Sequence, residues 1–170
     1  MQIIITKGER EDDIEAMRPD GSSVRTSFPH KGPIPHDAVH FYVETSLAIG
    51  DAFWGMVAAG SHPEEVASIA KAGGHASAKR AGIPESSIVR LIQAERAVEC
   101  FEADLWSGSS SNPETIRDAI AAGCEQSLVP APEISDDAIL EIQSSLRDLV
   151  RRWPSLPVGE RLVFQWRLAA

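Results

Sequence analysis

Apolar residues alternate with polar ones at the two ends of the chain and recur at three- and four-residue intervals in between. Gln2-Ile3-Ile4-Ile5-Thr6 is a short β-rich run, and Ile14 to Phe28 reads as a hairpin folded about Arg18-Pro19-Asp20-Gly21. Proline presets the first φ of such a turn and glycine accepts the positive φ that closes it. Three strands are therefore expected within residues 1–28. Near the other end, Leu162, Phe164, Trp166 and Leu168 share one face while Arg161 and Arg167 share the other. That period of two predicts a strand over residues 158–169.

The middle of the chain has helical periodicity and helical punctuation. Pro35 opens a first helix running to about Ile49, and Asp51 is placed to cap a short apolar one through Phe53, Trp54, Met56 and Val57, ended by Gly60. Ser61-His62-Pro63-Glu64 matches a capping box for a helix ending at Gly73-Gly74. A looser stretch around Gly82-Ile83-Pro84 precedes a long helix from about Glu85 to Trp106, closed by Gly108-Ser109-Ser110-Ser111. Asn112-Pro113-Glu114 starts the next helix, with Asn as cap and Pro in the first turn. Pro130-Ala131-Pro132 then separates a last helix, opened by Ser135, in which Ile139, Ile142, Leu146, Leu149 and Trp153 line one seam before Pro154 stops it. Strands, then helices over residues 35–153, then a closing strand predict an α+β fold in one domain spanning 1–170. A small antiparallel sheet, made of the N-terminal meander plus the C-terminal strand, is covered by the central helical region. Phe53, Trp54, Gly55 and Met56 read as core, with Gly55 allowing close helix packing; a patch for a partner is the alternative. Trp106 and Trp153 are expected to pack in the same way.

Composition narrows the function classes. At 170 residues with 43% hydrophobic and 24% charged positions, the chain is long enough to bury a core without disulfide or metal staples. Its 16 Lys+Arg against 25 Asp+Glu give a formal charge of -9, which repels phosphate backbones and argues against nucleic-acid binding. Cys100 and Cys124 fall in separate helices with no short spacing, the pattern of free thiols rather than of a disulfide or zinc ribbon. No basic n-region precedes an apolar run at the N-terminus, and no segment approaches the ~20 apolar residues that span a bilayer. A cytoplasmic protein with no membrane partner is expected. A Gly-rich phosphate loop, a Gly-x-Ser-x-Gly elbow and a dinucleotide fingerprint are all missing from the sequence.

Candidate chemistry concentrates on the first helix, where Pro35-His36-Asp37-Ala38-Val39-His40-Phe41-Tyr42-Val43-Glu44 sets two imidazoles and two carboxylates close together. His36, His40 and Glu44 lie four apart, within an arc of roughly 80° at the edge of the stripe formed by Val39, Val43 and Leu47. The pair invites comparison with His-Glu-x-x-His, in which two imidazoles bind zinc and the carboxylate activates water. Three departures weigh against proteolysis. Asp37 is a methylene shorter than the usual base, His36 sits at the positive end of the helix dipole, and no later metalloprotease signature follows. His36 and Glu44 are also separated by ~12 Å along the axis, so any ion here needs a second helix.

The long helix offers one. Glu95, Glu99 and Glu102 share the arc of Ile88, Leu91, Ile92 and Val98, and carboxylates in an apolar stripe need partners. Those partners are either a divalent metal such as zinc, bound together with His36 and His40 as in a bundle core, or Arg90, Arg96 and the histidines acting as ion-pair and hydrogen-bond partners. His30 or His62 could add a third imidazole, although surface or capping roles are the plainer reading for His30, His62 and His75.

Pro35-His36-Asp37-x-x-His40-x-x-Val43-Glu44, followed by Phe53-Trp54-Gly55 and Ala58-Ala59-Gly60, resembles a family of small bacterial proteins with no assigned activity that carry the same elements in the same order. The resemblance covers residues 29 to 60 and implies a soluble bacterial protein. Two functions are expected from the residues. The first is a non-catalytic structural or interaction module in which His36, Asp37, His40 and Glu44, supported by His30, form a polar network fixing the helix against the sheet. The alternative is a divalent-metal-binding protein or small metal-dependent hydrolase using His36 and His40 with Glu95, Glu99 or Glu102, and Asp37 or Glu44 as orienter or base. A homo-oligomer is expected to form, if at all, through Phe53–Val57 or an unpaired sheet edge.

Overall fold

Four antiparallel strands form one sheet in the order β3-β2-β1-β4, where β1 is Gln2–Thr6, β2 Glu11–Met17, β3 Ser23–Pro29 and β4 Arg161–Gln165. The register puts Ile14, Ile5 and Leu162 in one row and Ala16, Ile3 and Phe164 in the next, all buried on the face that meets the helices. Val163, one residue out of phase, is 54% exposed on the other face, as period-two alternation requires. The β2–β3 turn has Gly21 at φ 86°, with its N–H donating to the Arg18 carbonyl and the Ser22 N–H to Asp20 Oδ1. The closing strand is shorter than its alternation suggests. Pairing ends at Gln165, yet Trp166 remains buried and donates its backbone N–H to the Met1 carbonyl.

The computed structural model describes residues 1–73, 83–108 and 110–168. The expectations for Gly74, His75, Gly82, Ser109 and residue 169 lie outside them. Among the described residues six helices connect β3 to β4: α1 His36–Ser46, α2 Phe53–Ala58, α3 Pro63–Gly73, α4 Val89–Trp106, α5 Pro113–Gln126 and α6 Asp136–Arg152. A 3-10 turn, Ser86–Ile88, leads into α4, and another, Trp153–Ser155, follows α6. Together with the sheet they make the α+β fold that the hydrophobic pattern predicts.

Helix α1 is the central element. Phe41 stacks on Phe164 of β4 at 4.6 Å between ring centroids, while the neighbouring faces of α1 pack against α4 and α6. Asn112 accepts from the Thr115 amide and Ser135 from the Ala138 amide, the N-caps read from the sequence.

Several local expectations are corrected. The α2 cap residue is Ala52 with no side-chain cap bond, so Asp51 does not cap it; Asp51 pairs with Arg90 instead. The Glu64 amide donates to His62 Nδ1 rather than to Ser61, and the Glu64 carboxylate takes the Thr26 hydroxyl, so no capping box forms. Trp153 is buried but Trp106 is 53% exposed, with Gly32 against its ring. Phe53, Trp54 and Val57 lie in the core, with Met56 partly buried against it, as the sequence suggests. Cys100 on α4 and Cys124 on α5 are free thiols. Among the described residues no helix is long and apolar enough to cross a membrane.

Candidate metal centre

Pro35 holds the residue before α1 at φ −61° and ψ 125°, an extended conformation from which the helix starts at His36. Ala38, Val39 and Val43 carry α1 into the core, and the same face swings His40 and Glu44 inside with them, 1% and 0% exposed. Polar groups in such surroundings need partners. After Ser46 the chain turns back, with Ala48 at φ 51° and the Ile49 N–H donating to the Glu44 carbonyl. This delivers α2 against α1: the Trp54 backbone N–H donates to Glu44 Oε2 at 3.0 Å, and its indole Nε1 donates to the Asp37 carbonyl at 3.0 Å. The polar network thus ties α1 to α2 and α4, where the sequence suggested the sheet.

Each imidazole of α1 has a carboxylate against its Nδ1. His40 Nδ1 lies 3.0 Å from Glu44 Oε1, and His36 Nδ1 lies 2.8 Å from Glu102 Oε1. The second ring nitrogen of His40, Nε2, faces Glu95 Oε1 at 3.6 Å. The two rings meet edge to face with centroids 4.8 Å apart. One donor atom from each of His36, His40 and Glu95 falls within 4.8 Å of the others, so these three could hold a metal ion. Helix α4 therefore supplies the second helix that an ion on α1 needs.

Not every carboxylate of α4 takes part in the same way. Glu95 and Glu102 are seven residues apart, about 20° from alignment, whereas Glu99 is rotated about 40° from Glu95. Glu99 turns towards Arg96, with which it pairs at 2.8 Å, and is not in the three-residue cluster. His30 is likewise elsewhere, bonded to Asp12 of β2 at 2.9 Å. His62 caps α3.

Burial dominates the electrostatics. It pulls the His40 imidazole down to about 4 against the attraction of Glu95, so the ring is neutral at pH 7, the form that ligates metals. It pushes Glu44 well above the ordinary carboxylate range despite the Trp54 amide bond. Burial also lowers His36, but the hydrogen bond and charge of Glu102 outweigh it and the net shift is upwards. Asp37, 6% exposed, is raised to about 6 by burial, against the opposing charges of His36 and Lys31.

Beside the cluster opens a pocket of about 340 Å³. His36, Asp37, His40 and Glu95 form one side; Phe53 of α2, whose ring is 5.2 Å from that of His40, adjoins them. Phe28 and Pro29 at the end of β3, Ala67 and Ala70 of α3, and the side chains of Lys31 and Lys71 complete it. Sequence reasoning missed these last contributors because they belong to no motif. The one signal was Lys31 in the segment leading to His36. Set against known proteins, the chain matches no family model, no curated protein and no solved structure.

Proposed function

We propose that this protein binds one divalent transition-metal ion through His36, His40 and Glu95, at the wall of the 340 Å³ pocket, and uses it in a small metal-dependent hydrolase site. The observation that carries the reading is the pairing of both imidazoles at Nδ1 with a buried carboxylate, Glu102 on His36 and Glu44 on His40. Metal-ligating histidines are oriented in this way, with the distal nitrogen left for the ion. Two imidazoles and a carboxylate suit zinc, iron or manganese and leave coordination positions for water or substrate. A bound ion supplies Lewis acidity at the pocket. Asp37, lining the same pocket, is the carboxylate placed to take a proton, and Phe53 and Phe28 give the pocket its apolar side.

The test is elemental analysis of the purified protein together with thermal unfolding in zinc, manganese or chelator. One equivalent of metal is expected in the parent protein and none in Glu95→Gln or His40→Gln. At an ion concentration 100-fold above Kd, the folded state should gain about 2.7 kcal/mol. Substoichiometric metal together with a melting temperature indifferent to chelator overturns the reading.

A second reading, a purely structural network, is favoured by Glu44, which is 0% exposed with both oxygens bonded. It forecasts that His40→Gln lowers stability only slightly and that no metal is present in either protein.

A further inference from the structure

Resting on that metal site, we propose that the pocket takes a small organic anion, with its apolar body against Phe28 and Phe53 and its carboxylate or phosphate group between the ion and the Lys31 and Lys71 ammonium groups. Four observations lead there. The pocket, about 340 Å³, lies at the small end of ligand sites and admits a ligand of modest size. Its apolar lining comes from two aromatic rings and from Ala67 and Ala70, whose methyl groups leave room beside α3. Two lysines open onto this one pocket although the chain as a whole carries -9. The Lys31 charge acts on both Asp37 and His40, which puts its ammonium within electrostatic reach of the cluster.

The remaining ionisable groups of the pocket set a condition. Asp37 and Glu95 line it as well and oppose an anion while no ion is bound. With a divalent cation on Glu95 and the two imidazoles the local balance reverses, and Lys31 and Lys71 then reinforce the ion. Anion binding is therefore expected to depend on metal, and a neutral ligand of the same shape to bind poorly.

Titrations of zinc-loaded protein with benzoate, phenyl phosphate and benzamide test this. Benzoate or phenyl phosphate should bind at least about tenfold more tightly than benzamide, since a charge-assisted hydrogen bond contributes that much. The stronger of the two identifies the anionic group. Lys31→Met and Lys71→Met replace surface side chains, and each should weaken the favoured anion about tenfold while zinc content and melting temperature stay at parent values. Zinc uptake with equal affinity for benzoate, phenyl phosphate and benzamide overturns the anion proposal and leaves the metal site standing. Tight anion binding that neither lysine variant weakens also overturns it. Failure to take up zinc overturns both.

Discussion

Glu44 decides which nitrogen of His40 is available. Its Oε2 accepts the Trp54 N–H at 3.0 Å and its Oε1 faces His40 Nδ1 at 3.0 Å. Burial raises Glu44, but a cation bound beside it favours its ionised form; Nδ1 then donates its proton to this carboxylate and the Nε2 lone pair is directed at the space shared with Glu95. Substitution Glu44→Gln keeps the shape and changes the logic. The new amide oxygen must take the Trp54 N–H, because an NH2 group there would face another donor. The amide nitrogen then faces Nδ1, which becomes an acceptor, and the ring proton moves to Nε2, which faces Glu95 Oε1 at 3.6 Å. The Trp54 amide and Nδ1 keep their partners, so folding stability should change by less than about 1 kcal/mol. The proton on Nε2 now competes with an ion, and metal affinity should fall about 10- to 100-fold. Zinc titration and a thermal melt on the same sample separate the two effects. Unchanged zinc affinity would sink the assigned role of Glu44. Glu44→Ala, by contrast, strands the buried Trp54 amide and leaves a void, and should cost about 2–4 kcal/mol.

At the level of elements, the fit of α2 against the turn before it positions Trp54 and therefore Glu44. A Cβ on Gly55 would lie 1.9 Å from the Gly50 carbonyl oxygen, a backbone atom that cannot step aside alone. Helix propensity favours alanine over glycine by about 1 kcal/mol, so destabilisation by Gly55→Ala would have to come from this contact. A net loss of about 2 kcal/mol is expected by urea unfolding. Gly123→Ala in α5 meets only the Arg96 side-chain stem, with Cδ at 3.3 Å, and the helix-propensity gain of about 1 kcal/mol offsets that crowding, so the variant should stay within about 1 kcal/mol of the parent. Equal losses in the two variants would refute this account of α2. The same contrast explains what was legible in the sequence. Signals confined to one element survived: the turn at Gly21, the caps at Asn112 and Ser135, the seam of α6. Asp51 and Ser61 are good cap residues by type, but a tertiary partner took Asp51, and His62 Nδ1 was better placed than Ser61 for the Glu64 amide. His36 and His40 could be found as a pair because spacing alone sets their common face. The choice of Glu95 over Glu99 depends on how α4 is rotated against α1 and α5, which no local pattern encodes. Lys31, Lys71 and Phe28 reach the pocket from three separate segments, so neither spacing nor periodicity could connect them.

For the whole molecule, the decisive contact is between the first strand and the last. Residue pairs such as Ile5 and Leu162 bring together segments nearly the full chain length apart, and the Lys7 side chain fastens the same junction. Its Nζ donates to the carbonyls of Trp153, Pro154 and Leu156 at 2.8, 3.1 and 2.7 Å, and it lies 5.5 Å from the Trp153 ring centroid. These carbonyls close the turn at the C-terminal end of α6, where backbone acceptors lack intrahelical partners and the dipole favours a cation. The three hydrogens of an ammonium match three acceptors converging on one point. Lys7→Met retains the stem and removes the donors, leaving the backbone bonds of Lys7 to Glu160 and Gly159 in place. The expected loss is about 2 kcal/mol, equivalent to a fall in melting temperature of about 4–8 °C for a chain of this size. Lys7→Arg should recover less than half of it, because a planar fork on a longer stem cannot direct three donors to that point. The site on α1 gives the control. Since α1 packs on β4 through Phe41 and Phe164 but holds His36 and His40 against α4, the loosened junction should lower the melting temperature without changing zinc stoichiometry below the transition. A Lys7→Met protein that melts with the parent would show the junction to be held by strand pairing alone, and one that loses zinc while still folded would show the sheet and the proposed metal site to be coupled.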